Sequence, residues 1–171
     1  MFRIFDRIRR TGKLTEPLPD ADAEAEAVEL EEACQREIAR KFGHSLAIRM
    51  VDAGSCNGCE LEMHAVNNSF YDIERFGIHF VASPRHADLL LVTGVVSKHM
   101  EEALKRTYAA TPSPKLVVAM GDCAGCGGEF GKSYASCGPV SAVLPVDAVI
   151  PGCPPAPLQL LRGLLDLLQR V

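Results

Sequence analysis

From Gly43 onward, short continuous apolar runs alternate with stretches in which apolar residues recur every third or fourth position. That alternation restricts the fold more than any other property of the chain. Leu46–Val51, Ile78–Val81, Leu89–Thr93, Leu116–Met120 and Val146–Ile150 read as strands. They are apolar at successive positions, so both faces are expected to be buried. Met63, Val66, Phe70 and Ile73 recur at helical spacing, Ser97 to Ala110 reads as a helix, and Leu158, Leu161, Leu164, Leu165 and Leu168 mark a final one. Doubly buried strands alternating with helices predict a three-layer α/β domain over residues 44–171, built on a mainly parallel, flavodoxin-like sheet.

The chain has 171 residues, 47% of them hydrophobic, enough for one domain and a core. Residues 1–43 are set apart as an N-terminal helical arm. Residues 1–13 carry Arg3, Arg7, Arg9, Arg10 and Lys13 and read as a basic tail or a short amphipathic helix; Pro17 and Pro19 mark a linker. Residues 21–42 read as a helix whose apolar stripe is Ala27, Leu30, Cys34, Ile38 and Phe42. On that stripe Cys34 serves as a small buried hydrophobe. The acids between Glu16 and Glu32 form a solvated face.

Net charge is −4 and there is no Trp, which excludes a phosphate-neutralising, base-stacking nucleic-acid binder. No apolar run reaches the ~18 residues of a membrane span. Arg9-Arg10 is followed by prolines and acids, without the apolar stretch of an export signal, so a cytoplasmic location is expected. The final helix has apolar residues on more than one side, with Leu160 and Leu167 beyond the main stripe; that surplus predicts a contact surface for another subunit.

Seven cysteines in a reducing compartment point to metal or redox chemistry before disulfides. Three cysteine segments directly follow predicted strands: Gly54-Ser55-Cys56-Asn57-Gly58-Cys59, Gly121-Asp122-Cys123-Ala124-Gly125-Cys126-Gly127-Gly128, and Pro151-Gly152-Cys153-Pro154-Pro155. In a parallel sheet all three lie at the carboxyl edge, where such folds bind ligands. The accompanying glycines permit close approach to a bulky guest, but no P-loop ending or dinucleotide fingerprint is present. Cys59, at a helix start, would gain from the helix dipole as a thiolate. Sixty-three residues separate Cys59 from Cys123, and 29 separate Cys123 from Cys153. That is unlike a local zinc knuckle pair and suits a cluster held by a preformed fold. Zinc, and a dithiol site at Cys56 and Cys59, remain as alternatives at this point.

The motifs, in order, resemble one superfamily. Gly-Ser-Cys56-Asn-Gly-Cys59-Glu60, Ser83-Pro84-Arg85-His86-Ala87-Asp88, Gly121-Asp122-Cys123, Val146-Asp147 and Pro151-Gly152-Cys153-Pro154-Pro155 are similar to the complex I 20 kDa subunit family and the related small subunits of [NiFe] hydrogenases. The resemblance covers residues 44–170. It implies one [4Fe–4S] cluster held by Cys56, Cys59, Cys123 and Cys153. The Cys-Asn-Gly-Cys spacing resembles hydrogenase small subunits, where complex I subunits carry adjacent cysteines. Among these the chain is most similar to the membrane-bound, formate hydrogenlyase and energy-converting type. The chain ends soon after Cys153, without the motifs that hold two further clusters in exported relatives, so a single cluster is expected. Cys126 creates a second CxxC and leaves the register of the third ligand open; Cys137 is expected to be structural.

The implied function is an electron-transfer subunit of an oxidoreductase complex, relaying electrons between a ferredoxin-like iron–sulfur subunit and the NiFe centre of a hydrogenase large subunit. Membrane subunits would hold it at the inner face of the cell membrane. The alternative is a complex-I-like quinone oxidoreductase subunit with the same cluster, and a lesser one is a non-catalytic iron–sulfur or zinc scaffold. The resemblance makes Glu60 a candidate proton relay; Glu60 and Glu62 read equally as acids favoured by a helix N-terminus. Arg85 and His86 read as a contact with the large subunit, a pair that tunes the cluster, or a plain surface loop, and His44, His64, His79 and His99 as scattered residues without a metal role.

Overall fold

The structure is a computed structural model that describes residues 5, 9–11 and 21–170. The readings for the basic segment 1–13 and the proline linker fall largely outside the described residues. Helix α1 spans Ala21–Phe42. There follow β1 (Leu46–Asp52), α2 (Gly58–Val66), β2 (Ile78–Phe80), β3 (Leu89–Thr93), β4 (Val96–Ser97) and α3 (Glu101–Ala110). The remaining elements are β5 (Leu116–Met120), α4 (Asp122–Cys126), β6 (Ser136–Gly138), β7 (Ala148–Ile150) and α5 (Pro157–Arg170).

Five strands form one sheet in the order β2-β1-β3-β5-β7, every neighbouring pair parallel. This is the expected α/β architecture, with helices on both faces. The continuous apolar runs divide between two cores by the two-residue period of a strand. Leu89 and Leu91 of β3, with Val118 and Met120 of β5, face the core closed by α1, α2 and α5. Leu90 and Val92, with Val117 and Ala119, face the core that holds Leu104, Ala124 and Val140.

At the amino edge, two aspartates pin adjacent strands. The Asp88 carboxylate accepts the Ala47 amide at 2.9 Å, and the Asp147 carboxylate accepts the Val117 amide at 2.7 Å. These are the acids of the Ser-Pro-Arg-His-Ala-Asp and Val-Asp motifs, and their work is to fix strand register. At the opposite edge, the chain leaves β1 outward to β2 and returns across it to β3. The crevice opens at that reversal.

Three local readings change. The helix expected from Ser97 starts at Glu101, because Val96–Ser97 pairs antiparallel with β6. The helical spacing through Phe70 breaks after Val66, where the Asn68 side chain accepts the Phe70 and Tyr71 amides at 2.8 and 3.1 Å; Phe70 is exposed. The surplus apolar side of α5 is already covered within this chain. Leu160, Leu161, Leu164, Leu167 and Leu168 are all buried, in a core to which α1 supplies Cys34 and Ile38. Fully burying each such leucine contributes about 1.5–3 kcal/mol. The Cys34 thiol donates to the Leu161 carbonyl at 3.7 Å, and Arg162 pairs with Glu26 across the same interface. The periodicity of α5 reported burial without naming the covering surface, and an intramolecular helix supplies it. Burial pushes the Cys34 thiol up to about 12, which suits a packing role.

Glu31 of α1 is buried, and its Oε1 has no hydrogen-bond partner. Burial raises its carboxyl pKa above the usual 4.5, partly offset by Arg75. A raised folded pKa means stability that is present in acid and lost as pH rises through the folded value. Glu31→Gln is therefore expected to unfold at higher temperature than the parent at pH 8, with the difference vanishing below pH 4.5, in pH-dependent melting curves. Gly163 sets the approach of α5 to the sheet, since a Cβ there would lie 2.6 Å from Cγ1 of the buried Ile150. Gly163→Ala is expected to destabilise by about 1–3 kcal/mol in denaturant titration, because overpacking outweighs the helix preference for Ala.

Candidate metal centre

The carboxyl edge is built by turns that the sequence prescribes locally. After β1, the Asp52 carboxylate accepts the Gly54 and Ser55 amides, both at 2.8 Å. The Ser55 hydroxyl then accepts the Asn57 amide at 3.1 Å. Asn57 sits at φ 72°, a left-handed position Asn tolerates, and the chain enters α2 at Gly58. This places Cys56 in the exposed loop and Cys59 in the first turn of α2, half-buried, its thiol donating to the Met120 carbonyl at 3.8 Å. Gly94, just past β3, is in contact with this loop: a Cβ there would lie 2.4 Å from the Ser55 amide nitrogen.

After β5 the chain turns at Gly121, with φ 87°. A Cβ at that position would meet the Cys59 sulfur at 2.7 Å. Cys123 follows in α4, and after β7 Gly152 leads to Cys153. Cys56, Cys59, Cys123 and Cys153 together line one narrow cavity, with Gly94 and Asp122 between them; its free volume is about 20 Å³, and part of it is open to solvent. The four sulfurs come from three strand ends far apart in sequence. Cys126 does not line this cavity: its exposed thiol donates to the Asp122 carbonyl at 3.2 Å. Cys137 is buried in the second core and donates to the Glu101 carboxylate at 3.2 Å.

The expected dipole effect on Cys59 is outweighed. Burial pushes its thiol up to about 12, helped by the negative Glu60 and by the Cys56, Cys123 and Cys153 sulfurs. Cys123 is likewise raised, by burial first and then by Cys153, Cys56, Asp122 and Cys126. Four thiolates here repel one another, so the set is suited to a positively charged guest that offsets the repulsion. Among the described residues no three His, Cys, Asp or Glu stand close enough to bind a single ion. A polynuclear cluster makes a different demand, because each thiolate binds its own iron. Soft sulfur donors, a glycine-lined wall and a cavity in place of a point of convergence fit an iron–sulfur cluster.

Glu60 is buried next to Cys59. Its Oε1 accepts the Thr93 hydroxyl, and its Oε2 is buried without a partner. Thr93, a hydroxyl at the carboxyl end of an apolar strand, and the acids Asp52 and Asp122 carry no local sequence signal for the contacts they make here. Glu62 is half-buried on the same helix, while Arg85 and His86 are exposed on a short turn at Pro84–His86. His44 lies 3.9 Å from Asp88, at the amino edge.

Known proteins share this chain's sequence pattern and fold. Residues 56–167 match the family described as NADH ubiquinone oxidoreductase, 20 Kd subunit. A probable membrane-bound hydrogenase subunit (mbhJ) of Pyrococcus furiosus is 42% identical over 135 residues, covering 79% of this chain and 81% of that protein. Formate hydrogenlyase subunit 7 of Escherichia coli is 44% identical over 72% of this chain, which spans about half (49%) of that protein's length. Among solved structures, a chain of the membrane-bound sulfane sulfur reductase, an archaeal respiratory membrane complex, superposes with a TM-score of 0.66 at 36% identity, over 80% of this chain and 74% of that one. A chain of an NAD+-reducing [NiFe]-hydrogenase shares the fold, with a TM-score of 0.56 at 21% identity over 74% of this chain and 93% of that one. The chain belongs to the NADH ubiquinone oxidoreductase 20 kDa subunit family, and it is an oxidoreductase subunit of the hydrogenase and complex I type.

Gly121→Ala forces a Cβ against the Cys59 sulfur, whereas Gly131→Ala, at φ 52°, meets nothing within 4 Å. Both substitutions carry the backbone cost of a positive φ, and only the first adds a clash, worth about 1–3 kcal/mol. Thermal unfolding is expected to show Gly121→Ala as the more damaging of the two.

Proposed function

We propose that this chain is the electron-transfer subunit of a [NiFe]-hydrogenase-like complex of the formate hydrogenlyase type, with Cys56, Cys59, Cys123 and Cys153 as ligands of one [4Fe–4S] cluster. The observation that carries this reading is the convergence of those four sulfurs, from three strand ends, on one cavity. Bound there, the cluster supplies one-electron transfer. The chain's own residues do the rest. The glycines at 94 and 121 let backbone approach the sulfurs, the Asp52 turn fixes the Cys56 loop, and partial burial on the α2 side shields Cys59. In this reading Glu60, with one oxygen on Thr93 and one unpartnered, is the group that would relay a proton beside the Cys59 turn.

The names of the relatives support the setting: subunits of a membrane-bound hydrogenase and of formate hydrogenlyase. In that setting the partners are a NiFe-bearing large subunit, a ferredoxin-like iron–sulfur subunit, and membrane subunits that hold the assembly at the inner face of the membrane. No described helix is long and apolar enough to cross a membrane, so attachment is peripheral in this reading. The family description favours one other reading, a quinone-linked complex carrying the same cluster. Nickel in the complex isolated with this chain, together with hydrogen-dependent dye reduction, supports the hydrogenase reading. Quinone reduction without nickel replaces it.

Anaerobically purified protein is expected to hold about four iron and four sulfide at this centre. Single Ser substitutions at Cys56, Cys59, Cys123 and Cys153 each remove or convert the cluster, while Cys126→Ala and Cys137→Ala retain it. Metal analysis and absorption spectra check this. Colourless protein with stoichiometric zinc overturns the cluster, and retention of iron by Cys123→Ala with loss by Cys126→Ala overturns the ligand set.

A further inference from the structure

The residues immediately before Cys123 and Cys153 bind each other. The Gly152 amide donates to Oδ1 of Asp122 at 2.8 Å, and the Asp122 amide donates to the Gly152 carbonyl at 2.8 Å. One residue earlier, the Gly121 amide donates to the Ile150 carbonyl at 2.8 Å. The β5–β7 ladder therefore runs on past the ends of both strands, up to the two cysteines. Backbone alone supplies one of the two bonds between residues 122 and 152. The other needs a side-chain acceptor at position 122 that reaches across to the next loop. Gly152 is at φ 137°, and a Cβ there would lie 2.6 Å from Cα of Pro155, so the loop presents its amide only as glycine.

We propose that Asp122 is a positioning residue for the metal centre: its carboxylate closes a two-bond clasp that holds the Cys123 and Cys153 loops at a fixed separation. This rests on the reading of the four cysteines as cluster ligands. Loops at a sheet edge are ordinarily mobile, and a second bond between them restricts their relative motion. A hydrogen bond to a charged acceptor is worth about tenfold or more in an equilibrium. Loss of the clasp thus frees one ligand to leave its iron about tenfold more often.

The test uses the full chain purified anaerobically with its accompanying subunits. The difference between the electron paramagnetic resonance spectra of the parent and Cys153→Ser assigns the signal of this centre. Iron release to a ferrous chelator is then timed in Asp122→Ala and Asp122→Asn. We expect Asp122→Ala to lose iron about tenfold faster, with an altered line shape for the reduced centre. Asp122→Asn, whose uncharged amide oxygen still accepts from Gly152, is expected to keep the parental line shape and to lose iron at a rate between those of the parent and Asp122→Ala. If Asp122→Ala does not accumulate folded, Asp122→Ser, whose acceptor is shorter, serves as the case without the clasp. A clasp-free variant indistinguishable from the parent overturns the proposal, as does an Asp122→Asn that behaves like Ala. A spectrum unchanged by Cys153→Ser overturns the ligand reading and the clasp with it.

Discussion

A parallel sheet buried on both faces is the constraint on which the rest of this molecule depends. Its strands all point one way, so every chain exit from a carboxyl end opens at the same edge. Because β1, β5 and β7 are parallel, the segments carrying Cys56 and Cys59, Cys123, and Cys153 share a boundary although up to 96 residues separate them. The helices that cover the sheet, above all α1 against α5, exclude water from the strands and keep that boundary in place.

The two edges of the sheet divide labour. At the amino edge, Asp88 and Asp147 take up neighbouring strand amides and set register. A one-residue slip would exchange the two cores, so these acids act on the whole fold. At the carboxyl edge, Asp52 and Asp122 use the same chemistry on loops, arranging backbone beside the cysteines. Motif residues that look alike in sequence, an acid next to a strand, thus serve fold at one end and site at the other.

Membership of the 20 kDa subunit family accounts for the shared scaffold; under the proposed function, the chemistry of the whole assembly belongs to the partners. The relatives belong to complexes named for hydrogen, formate and sulfane sulfur. A subunit that positions a redox group needs only burial, soft donors and a rigid edge, none of which is tied to one substrate. Reuse of one fold among such complexes is what that division of labour predicts.

Strand positions, the α/β class and the edge at which the cysteines gather were legible in the sequence. They follow from local periodicity and from the one-way sense of a parallel sheet, and Leu89–Thr93 and Leu116–Met120 coincide with observed strands. Other features required the tertiary structure, because they are contacts between segments that no local pattern encodes. The periodicity of α5 showed that its leucines would be buried, but that α1 covers them depends on where two distant helices meet. The short β4–β6 pair overrode a helical reading because its partner lies about 40 residues away. The CxxC spacing treated Cys123 and Cys126 alike, and only the turn at Gly121 sends one to the cavity and the other to solvent. The partnerships of Glu60 with Thr93 and of Asp122 with Gly152 belong to the same class: each joins two strand ends, and their spacing is set by the packed sheet.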